Sequence, residues 1–264
     1  MKEKSIFQDN NRKYFTSDIM NAFYDVGITE GDTIFIQSDL GKFGKLSDIK
    51  KKTEFTKYFL DACIKTVGKQ GTVVLPTFTL SFCKTGFFDY YNSISEVNYL
   101  TELARITKGF VRSDDPIFSV TSLGPHTKKL IENLSSYCLG KDSIFDRLHK
   151  INAKIVLLGF MEGTTFIHHV EEQLKVPYRY NKVFRGRIKK GSSEFEKAVI
   201  YNVRDLDKNP MISLKKLHEN AEKAGILQKT NLGMGHVVSM NTKDLFKFTA
   251  NILKKDPYAL LTNI

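Results

Sequence analysis

The chain has 264 residues, a formal net charge of +11 from 40 Lys and Arg against 29 Asp and Glu, and 41% hydrophobic residues. That much apolar material supports a sizeable core and excludes an intrinsically disordered chain. The positive charge favours an anionic partner, which leaves nucleic acid, a membrane surface or a phosphorylated small molecule. The longest apolar run, 155–158, is too short to span a bilayer, and the first residues lack the apolar stretch of a signal peptide. We therefore expect a cytoplasmic protein with no membrane partner.

Segments with the patterns of strands and helices alternate along the chain, which is typical of an α/β fold. The stretch 77–95 is rich in Phe, Tyr, Ser and Gly without a clear period, and it predicts a long ordered loop of the kind that carries function. No linker, repeat or low-complexity tract divides the chain, so we predict one domain over 1–264 with a mixed sheet. The predicted elements are, in chain order, helix 16–26, strand 33–37, helix 53–67, strand 72–75, loop 77–95, strand 118–123, a short helix from 125, helix 143–148, strand 154–159, helix 164–174, an antiparallel hairpin with arms 183–188 and 195–201, helix 214–224, strand 236–239 and helix 243–254.

A pair of His and Glu residues follows the strand 154–159, which is the strongest buried-strand signal in the chain. Residues three apart share one face of a helix, so His168 should face Glu171 and His169 should face Glu172. A carboxylate beside an imidazole fixes its tautomer and raises its basicity, as a general base requires. Ligands of α/β sheets gather beyond the carboxyl ends of strands. The pattern predicts a catalytic base, although a surface His–Glu pair has the same spacing.

Metal binding is a competing interpretation of the same His-x-x-Glu spacing. It would need a third ligand, and the spacing is not the His-Glu-x-x-His arrangement that places two imidazoles on one face for zinc. Cys63, Cys83 and Cys138 are widely separated, with no Cys-x-x-Cys pair. We therefore expect no metal and no disulfide framework.

Two nucleophiles and two nucleotide-binding patterns remain as alternatives. Cys83 in the aromatic loop could form a thioester, or it could pack as a small thiol. Ser38 follows a strand without a Gly-x-Ser-x-Gly elbow, so it could equally be a cap. The segment 39–46 has the wrong glycine spacing for a phosphate loop, and 233–235 lacks the third glycine of a dinucleotide fingerprint.

Nucleic-acid binding is the function of another class that the charge allows. The basic segment 185–190 in the predicted hairpin is the closest to a nucleic-acid surface. No RNA-recognition, zinc-finger or helix-turn-helix signature accompanies it. A nucleic-acid-binding module is therefore the minority alternative.

Several segments, in order, resemble the aminoglycoside 3-N-acetyltransferase family. The likeness covers nearly the whole chain and implies a three-layer α/β/α fold. The family's usual His-Ser-Ser-Leu is Gln-Ser-Asp-Leu here, and its Arg-Ser-x-His-Pro is Arg-Ser-Asp-Asp-Pro. The segments that carry the resemblance are 31–40, 71–79, 111–119, 124–125, 140–143, 154–159, 165–171 and 176–177.

The resemblance implies an acyl-CoA thioester as co-substrate and a direct transfer to an amine. It places the catalytic base on His168 and its partner carboxylate on Glu171. Backbone N–H groups near Ser38 or Thr77 would stabilise the oxyanion. The residues that the resemblance implies for binding are Gln37, Ser38, Thr77, Arg112, Ser113 and Ser119 for coenzyme A, and Asp39 and Tyr180 for the acceptor.

The variant segments 78–84, 115–120, 142–146 and 176–180 are similar to a branch of the family that acts on surface-polysaccharide sugars. This implies acetyl or short hydroxyacyl transfer to a nucleotide-linked amino-deoxy sugar, for lipopolysaccharide O-antigen synthesis. Aminoglycosides are polycations that suit an acidic cleft, whereas coenzyme A and a nucleotide sugar are anions that suit a basic chain. The expected acceptor is therefore the nucleotide sugar, with antibiotic resistance through aminoglycoside acetylation as the alternative. The sequence leaves open whether the chain is a monomer or a homodimer.

Overall fold

The computed structural model describes residues 4–10, 12–205 and 211–262, so the two ends of the predicted domain, 1–3 and 263–264, lie outside the described residues. The helices in these residues are α1 Thr16–Asp25, α2 Lys52–Val67, α3 Phe82–Thr85, α4 Tyr99–Ile106, α5 Thr127–Ile131, α6 Ile144–Lys150, α7 Phe166–Leu174, α8 Lys215–Lys223 and α9 Thr242–Lys255, with a 3-10 turn at Leu40–Phe43. The strands are β1 Phe7–Gln8, β2 Lys13–Tyr14, β3 Thr33–Ser38, β4 Lys45–Leu46, β5 Thr72–Pro76, β6 Phe87–Asp89, β7 Val111–Arg112, β8 Val120–Leu123, β9 Lys154–Leu158, β10 Arg179–Lys190, β11 Ser193–Arg204, β12 Leu227–Leu232 and β13 Gly235–Asn241.

The main sheet has seven strands in the order β12-β13-β9-β3-β5-β8-β7. The three central strands β9, β3 and β5 are parallel, and the flanking strands β13 and β8 join them antiparallel. The sheet is therefore mixed, as the sequence predicted. Parallel strands buried on both faces read as continuous apolar runs, which is why β3, β5 and β9 were recognisable in the sequence.

Helices cover both faces of this sheet. Successive side chains of a strand point to opposite faces, and on β3 the side chains of Ile34 and Ile36 join one core while Phe35 joins the other. The first core is closed by α1, α2 and α4, and the second by α6, α7 and α9. This arrangement confirms the three-layer α/β/α fold.

A long hairpin forms a second, smaller sheet. Strands β10 and β11 have 12 residues each and pair antiparallel, and β6 pairs parallel with β10. Gly191 turns the chain between the two arms with φ of +65°, a conformation that glycine adopts without steric cost. The predicted hairpin is confirmed, and its arms are longer than expected at both outer ends.

The prediction of one long loop over 77–95 was wrong. The segment contains α3 and β6, and β6 is held by the register Ile188 opposite Phe88 on β10. A three-residue strand has no period of its own, so only its distant partner decides its extended conformation. The sequence patterns also did not predict helix α4 or strand β12. None of the helices in the described part of the chain is both long and apolar enough to cross a membrane.

Candidate active site

A cavity of about 560 Å³ opens at the carboxyl ends of β3 and β9. The loop after β9 and the first turn of α7 form one side of it, and the hairpin strands β10 and β11 form the other. This is the edge of a parallel sheet at which ligands bind in α/β folds. The lining residues are Gln37, Glu162, Gly163, Thr164, Thr165, His168, Arg179, Tyr201, Arg204, Ile212, Ser213 and Leu214.

The His168 side chain lies in this cavity with a buried carboxylate behind it. Its Nδ1 is 2.7 Å from Oε2 of Glu171, one helical turn further along α7. The His168 side chain is 25% exposed, whereas that of Glu171 is fully buried. A proton on Nδ1 that bonds the carboxylate leaves Nε2 free to accept a proton from a ligand. The predicted pairing of His168 with Glu171 is therefore confirmed as a contact.

Glu171 is stabilised as an anion by three neighbours. Its Oε1 accepts a hydrogen bond of 2.7 Å from the Tyr178 hydroxyl, and its Oε2 lies 2.8 Å from Nε of Arg179. Burial on its own raises the pKa of Glu171, but the hydrogen bond from His168 and the charge of Arg179 lower the pKa on balance. The carboxylate can thus hold the imidazole without taking its proton.

Arg179 lies at the His168 cavity, and the sequence analysis did not select it as a site residue. Its guanidinium is 2% exposed; Nη1 donates to the Asn202 carbonyl over 2.8 Å, and Nη2 lies 2.8 Å from Nδ1 of His168. Both Glu171 and Arg179 therefore compete for that one nitrogen. The sequence analysis selected the next residue, Tyr180, for acceptor binding. A sequence alone does not say which of two successive strand residues faces the cavity.

The electrostatic setting of His168 favours its uncharged form. Burial lowers the pKa of His168 below its usual value, and the positive charge of Arg179 lowers it further, while the Glu171 carboxylate partly opposes both. A lowered pKa favours the unprotonated imidazole. His168 is thus in the protonation state that a general base needs.

The predicted pairing of His169 with Glu172 was wrong. His169 is buried, and its Nδ1 donates a hydrogen bond of 2.7 Å to the carbonyl of Leu139. Adjacent residues on a helix point about 100° apart. His168 therefore faces the cavity, whereas His169 turns towards α6 and α9, which places it beside the ring of Phe246.

The predicted coenzyme residues at the end of β3 face two different cavities. Gln37 lines the His168 cavity; its Nε2 donates to Thr165 Oγ1 over 3.1 Å, and its Oε1 accepts from the Thr165 N–H over 3.2 Å. Ser38 and Asp39 line a second cavity of about 590 Å³ beside α2 and α4. Successive residues of a strand point to opposite faces of the sheet, so Gln37 and Ser38 face different cavities. Gln37 thus fixes the start of the helix that carries His168, in addition to facing the ligand cavity.

The other four predicted coenzyme residues form a buried network that does not line the His168 cavity. Arg112 donates to the Thr77 carbonyl over 2.8 Å, and Ser119 donates to the same carbonyl over 2.6 Å. Ser113 accepts a hydrogen bond of 3.0 Å from the Val120 N–H. All four are nearly inaccessible to solvent, with at most 5% exposed. Their polar atoms are engaged with the protein, and a part in binding coenzyme A stays a prediction.

The structure does not bring the remaining candidates together. Tyr180 is 49% exposed on β10, and it lines neither the cavity that its neighbour Arg179 enters nor the cavity that Asp39 lines. Cys83 is half-buried, and burial raises the pKa of its thiol, which disfavours the thiolate that a nucleophile requires. Neither residue lines the His168 cavity.

A three-layer α/β/α fold with a carboxylate-oriented histidine at the carboxyl edge of its sheet defines a protein equipped for general-base chemistry. The family model described as aminoglycoside 3-N-acetyltransferase matches residues 36–254. The chain belongs to the aminoglycoside 3-N-acetyltransferase family. The family and the fold indicate an N-acetyltransferase. No protein of curated function matches the chain by sequence.

Solved structures with this fold are similar along almost the whole chain. Aminoglycoside acetyltransferase AAC(3)-Xa is 18% identical with a TM-score of 0.78, over 91% of this chain and 92% of its own. AAC-IIIb, solved as a binary complex with CoASH, is 18% identical with a TM-score of 0.76, over 91% and 96%. A mutant of aminoglycoside acetyltransferase AAC(3)-IVa in complex with a gentamicin is 16% identical with a TM-score of 0.76, over 99% and 94%.

Proposed function

We propose that this chain transfers an acetyl group from acetyl-CoA to an amine of an aminoglycoside, with His168 as the general base. The observation that carries the proposal is the contact of 2.7 Å between His168 Nδ1 and the buried Glu171 carboxylate, in a cavity large enough for a sugar. Membership of the family and the relatives solved with CoASH and with gentamicin support the two substrates. They support an aminoglycoside acceptor better than the nucleotide sugar expected from the sequence.

Coenzyme A fits the surroundings of the second cavity. That cavity combines apolar side chains such as Phe55 and Leu100 with Ser38 and the ammonium of Lys52, which suit an apolar arm and a phosphate respectively. Ser38 and Lys52 are the residues that we expect to hold the coenzyme. When bound, an acyl-CoA supplies an acyl group activated as a thioester. A role of Ser38 in binding coenzyme A stays a prediction.

In the proposed mechanism His168 moves the proton. Its Nε2 accepts a proton from the acceptor amine as the nitrogen attacks the acyl carbon. The carbon–sulfur bond of the thioester then breaks, and the departing thiolate of coenzyme A takes the proton from Nε2 and leaves as the free thiol. The Glu171 carboxylate stabilises the imidazolium that forms, and Arg179 and Tyr178 keep that carboxylate charged and in place. General-base catalysis of this kind contributes about 10²- to 10⁴-fold to the rate.

Of the backbone groups expected near Ser38 or Thr77 to stabilise the oxyanion, the N–H of Thr77 itself already has a partner. The Thr77 N–H donates to the Ser119 carbonyl over 2.8 Å inside the buried network. The loop of Gly163 and Thr164 lines the cavity instead and leads into the positive end of α7. We expect these backbone N–H groups to stabilise the negative charge on the carbonyl oxygen.

A nucleotide-linked amino sugar is the second candidate acceptor. It is favoured by the net charge of +11, which suits a phosphate better than a polycation. In the cavity itself the Arg179 guanidinium is paired with the buried Glu171, and Arg204 and Glu162 also line the wall. The same base chemistry would serve either acceptor.

An acceptor panel tests the proposal. Purified protein with acetyl-CoA is given gentamicin-type aminoglycosides and, in parallel, thymidine- and uridine-diphosphate amino sugars, and thiol release is followed. Turnover with an aminoglycoside that is lost in His168→Ala supports the main proposal. Turnover with nucleotide sugars alone would transfer the assignment to the second candidate. Failure of every amine acceptor, together with salt-dependent binding of single-stranded nucleic acid, would support the binding-module alternative.

A further inference from the structure

A group of metal-ligating side chains lies between α6 and α7, on the far side of α7 from the His168 cavity. Asp146, His149 and His169 each offer one coordinating atom, and these atoms lie within 4.8 Å of one another. Asp146 and His149 are three residues apart on α6 and so share one face of that helix. His169 reaches them from α7.

His169 is prepared as a ligand by its own hydrogen bond. Its Nδ1 donates to the Leu139 carbonyl over 2.7 Å, which leaves the lone pair on Nε2. The side chain is 1% exposed, and Nε2 has no hydrogen-bond partner among the described residues. A buried polar atom without a partner is costly. Metal-binding histidines typically donate the other ring N–H to a backbone carbonyl in this way.

The two ligands on α6 are held at the cluster by their neighbours. The His149 ring stacks on Phe246, with centroids 4.3 Å apart and planes at 19°, and its centroid is 5.8 Å from that of His169. Asp146 accepts the Asp142 N–H over 2.7 Å and meets the Lys150 ammonium at 2.8 Å, both through Oδ2. Its second oxygen, Oδ1, is the one we assign to a metal.

We propose that Asp146, His149 and His169 bind one Zn²⁺ ion that joins α6 to α7. Two imidazoles and one carboxylate are a donor set that Zn²⁺ takes at about 2.0–2.2 Å in tetrahedral geometry. Such an ion would draw the three atoms closer together through the rotamers of the two side chains on α6, and water would complete its coordination. The ion would satisfy His169 Nε2 and stiffen the helix that also carries His168.

The test measures zinc directly. The full chain, stripped with a chelator and dialysed, is titrated with Zn²⁺ against a competing chelator, and the metal content is measured by mass spectrometry. We expect one Zn²⁺ per chain and a rise in melting temperature on zinc addition. His149→Gln and Asp146→Asn should each weaken the affinity at least about tenfold and abolish the thermal shift. Near-ultraviolet circular dichroism checks that both variants fold.

Two control variants separate this site from others. His236→Gln alters a histidine of β13 that hydrogen-bonds Asn231 of the edge strand β12. This histidine is not part of the cluster, so zinc affinity should not change. His168→Gln removes the other His–Glu contact, and it should also leave the affinity unchanged. The proposal is overturned if the stripped wild type binds no zinc in the titration, if His149→Gln and Asp146→Asn bind as tightly as the wild type, or if His168→Gln is the variant that loses zinc affinity.

Discussion

At the residue scale, the proposed chemistry depends on one ring nitrogen. Nδ1 of His168 lies 2.7 Å from Glu171 Oε2 and 2.8 Å from Arg179 Nη2. The carboxylate favours a proton on Nδ1, whereas the guanidinium favours a lone pair there. Because Arg179 also neutralises the buried Glu171, the arginine stabilises the carboxylate and at the same time restrains the basicity of the imidazole. These opposed effects can be separated by substitution.

His168→Ala should lower kcat by about 10²- to 10⁴-fold, because it removes the group that takes the proton from the amine. Binding of coenzyme A, measured by calorimetry, should be nearly unchanged because the second cavity is intact. His236→Ala is the matched control and should keep full activity. An active His168→Ala enzyme would contradict the assignment of the base.

Glu171→Gln and Arg179→Gln should shift the acid limb of the pH–kcat profile in opposite directions. The wild-type limb should lie below the usual histidine range, because burial and Arg179 lower the pKa of His168. Loss of the Glu171 charge lowers that pKa further and moves the limb to lower pH, with a fall in kcat. Loss of the Arg179 charge raises the pKa and moves the limb to higher pH. Shifts in the same direction would show that His168 is not the titrating group.

At the scale of elements, α7 carries the proposed base His168, and β10 contributes Arg179 to the same cavity. The start of α7 is held by Gln37 of β3 through both atoms of its amide. The hairpin in turn is joined to the long segment after β5 through β6. The spacing of His168 and Glu171 is local to one helix and was predictable, whereas the contacts of Gln37 and Arg179 join residues far apart in sequence.

Gly186→Ala should destabilise the contact between β10 and the segment before β6. A Cβ at Gly186 would lie 2.2 Å from the backbone oxygen of Gly86, and such overpacking costs about 1–3 kcal/mol. Urea unfolding measures the change. Gly191→Asn is the control, since its φ of +65° suits asparagine and nothing lies within 4 Å of the added carbon. Equal stability of the two variants would argue against the close approach.

At the scale of the whole molecule, the net charge of +11 should affect the binding of the two proposed substrates in opposite ways. Coenzyme A is an anion, and the Lys and Arg residues of the chain should increase its affinity at low ionic strength. The same charge does not favour a polycationic aminoglycoside, for which local carboxylates such as Glu162 would have to compensate. The net charge therefore affects which ligands the chain binds, but it does not determine the fold.

Raising the salt concentration from about 0.05 M to 0.5 M should weaken coenzyme A binding several-fold, because the Debye length shortens from roughly 14 Å to 4 Å. Calorimetric titration measures the affinity at each salt concentration. Dephospho-coenzyme A, which carries less charge, should show a smaller dependence. Identical salt dependence for both ligands would mean that the basic residues do not contact the phosphate that distinguishes them.

The sequence by itself determined the features that follow from local periodicity. The apolar runs of β3, β5 and β9, the helix α7 and the pairing of His168 with Glu171 depend on residues a few positions apart, and motif order was enough to indicate the family. Only the tertiary structure decided that Arg179 enters the cavity and Tyr180 does not, that Thr77 and Arg112 are sealed in a buried network, and that His169 faces α6. The physical reason is that strand pairing and helix packing choose between faces that the sequence leaves equivalent.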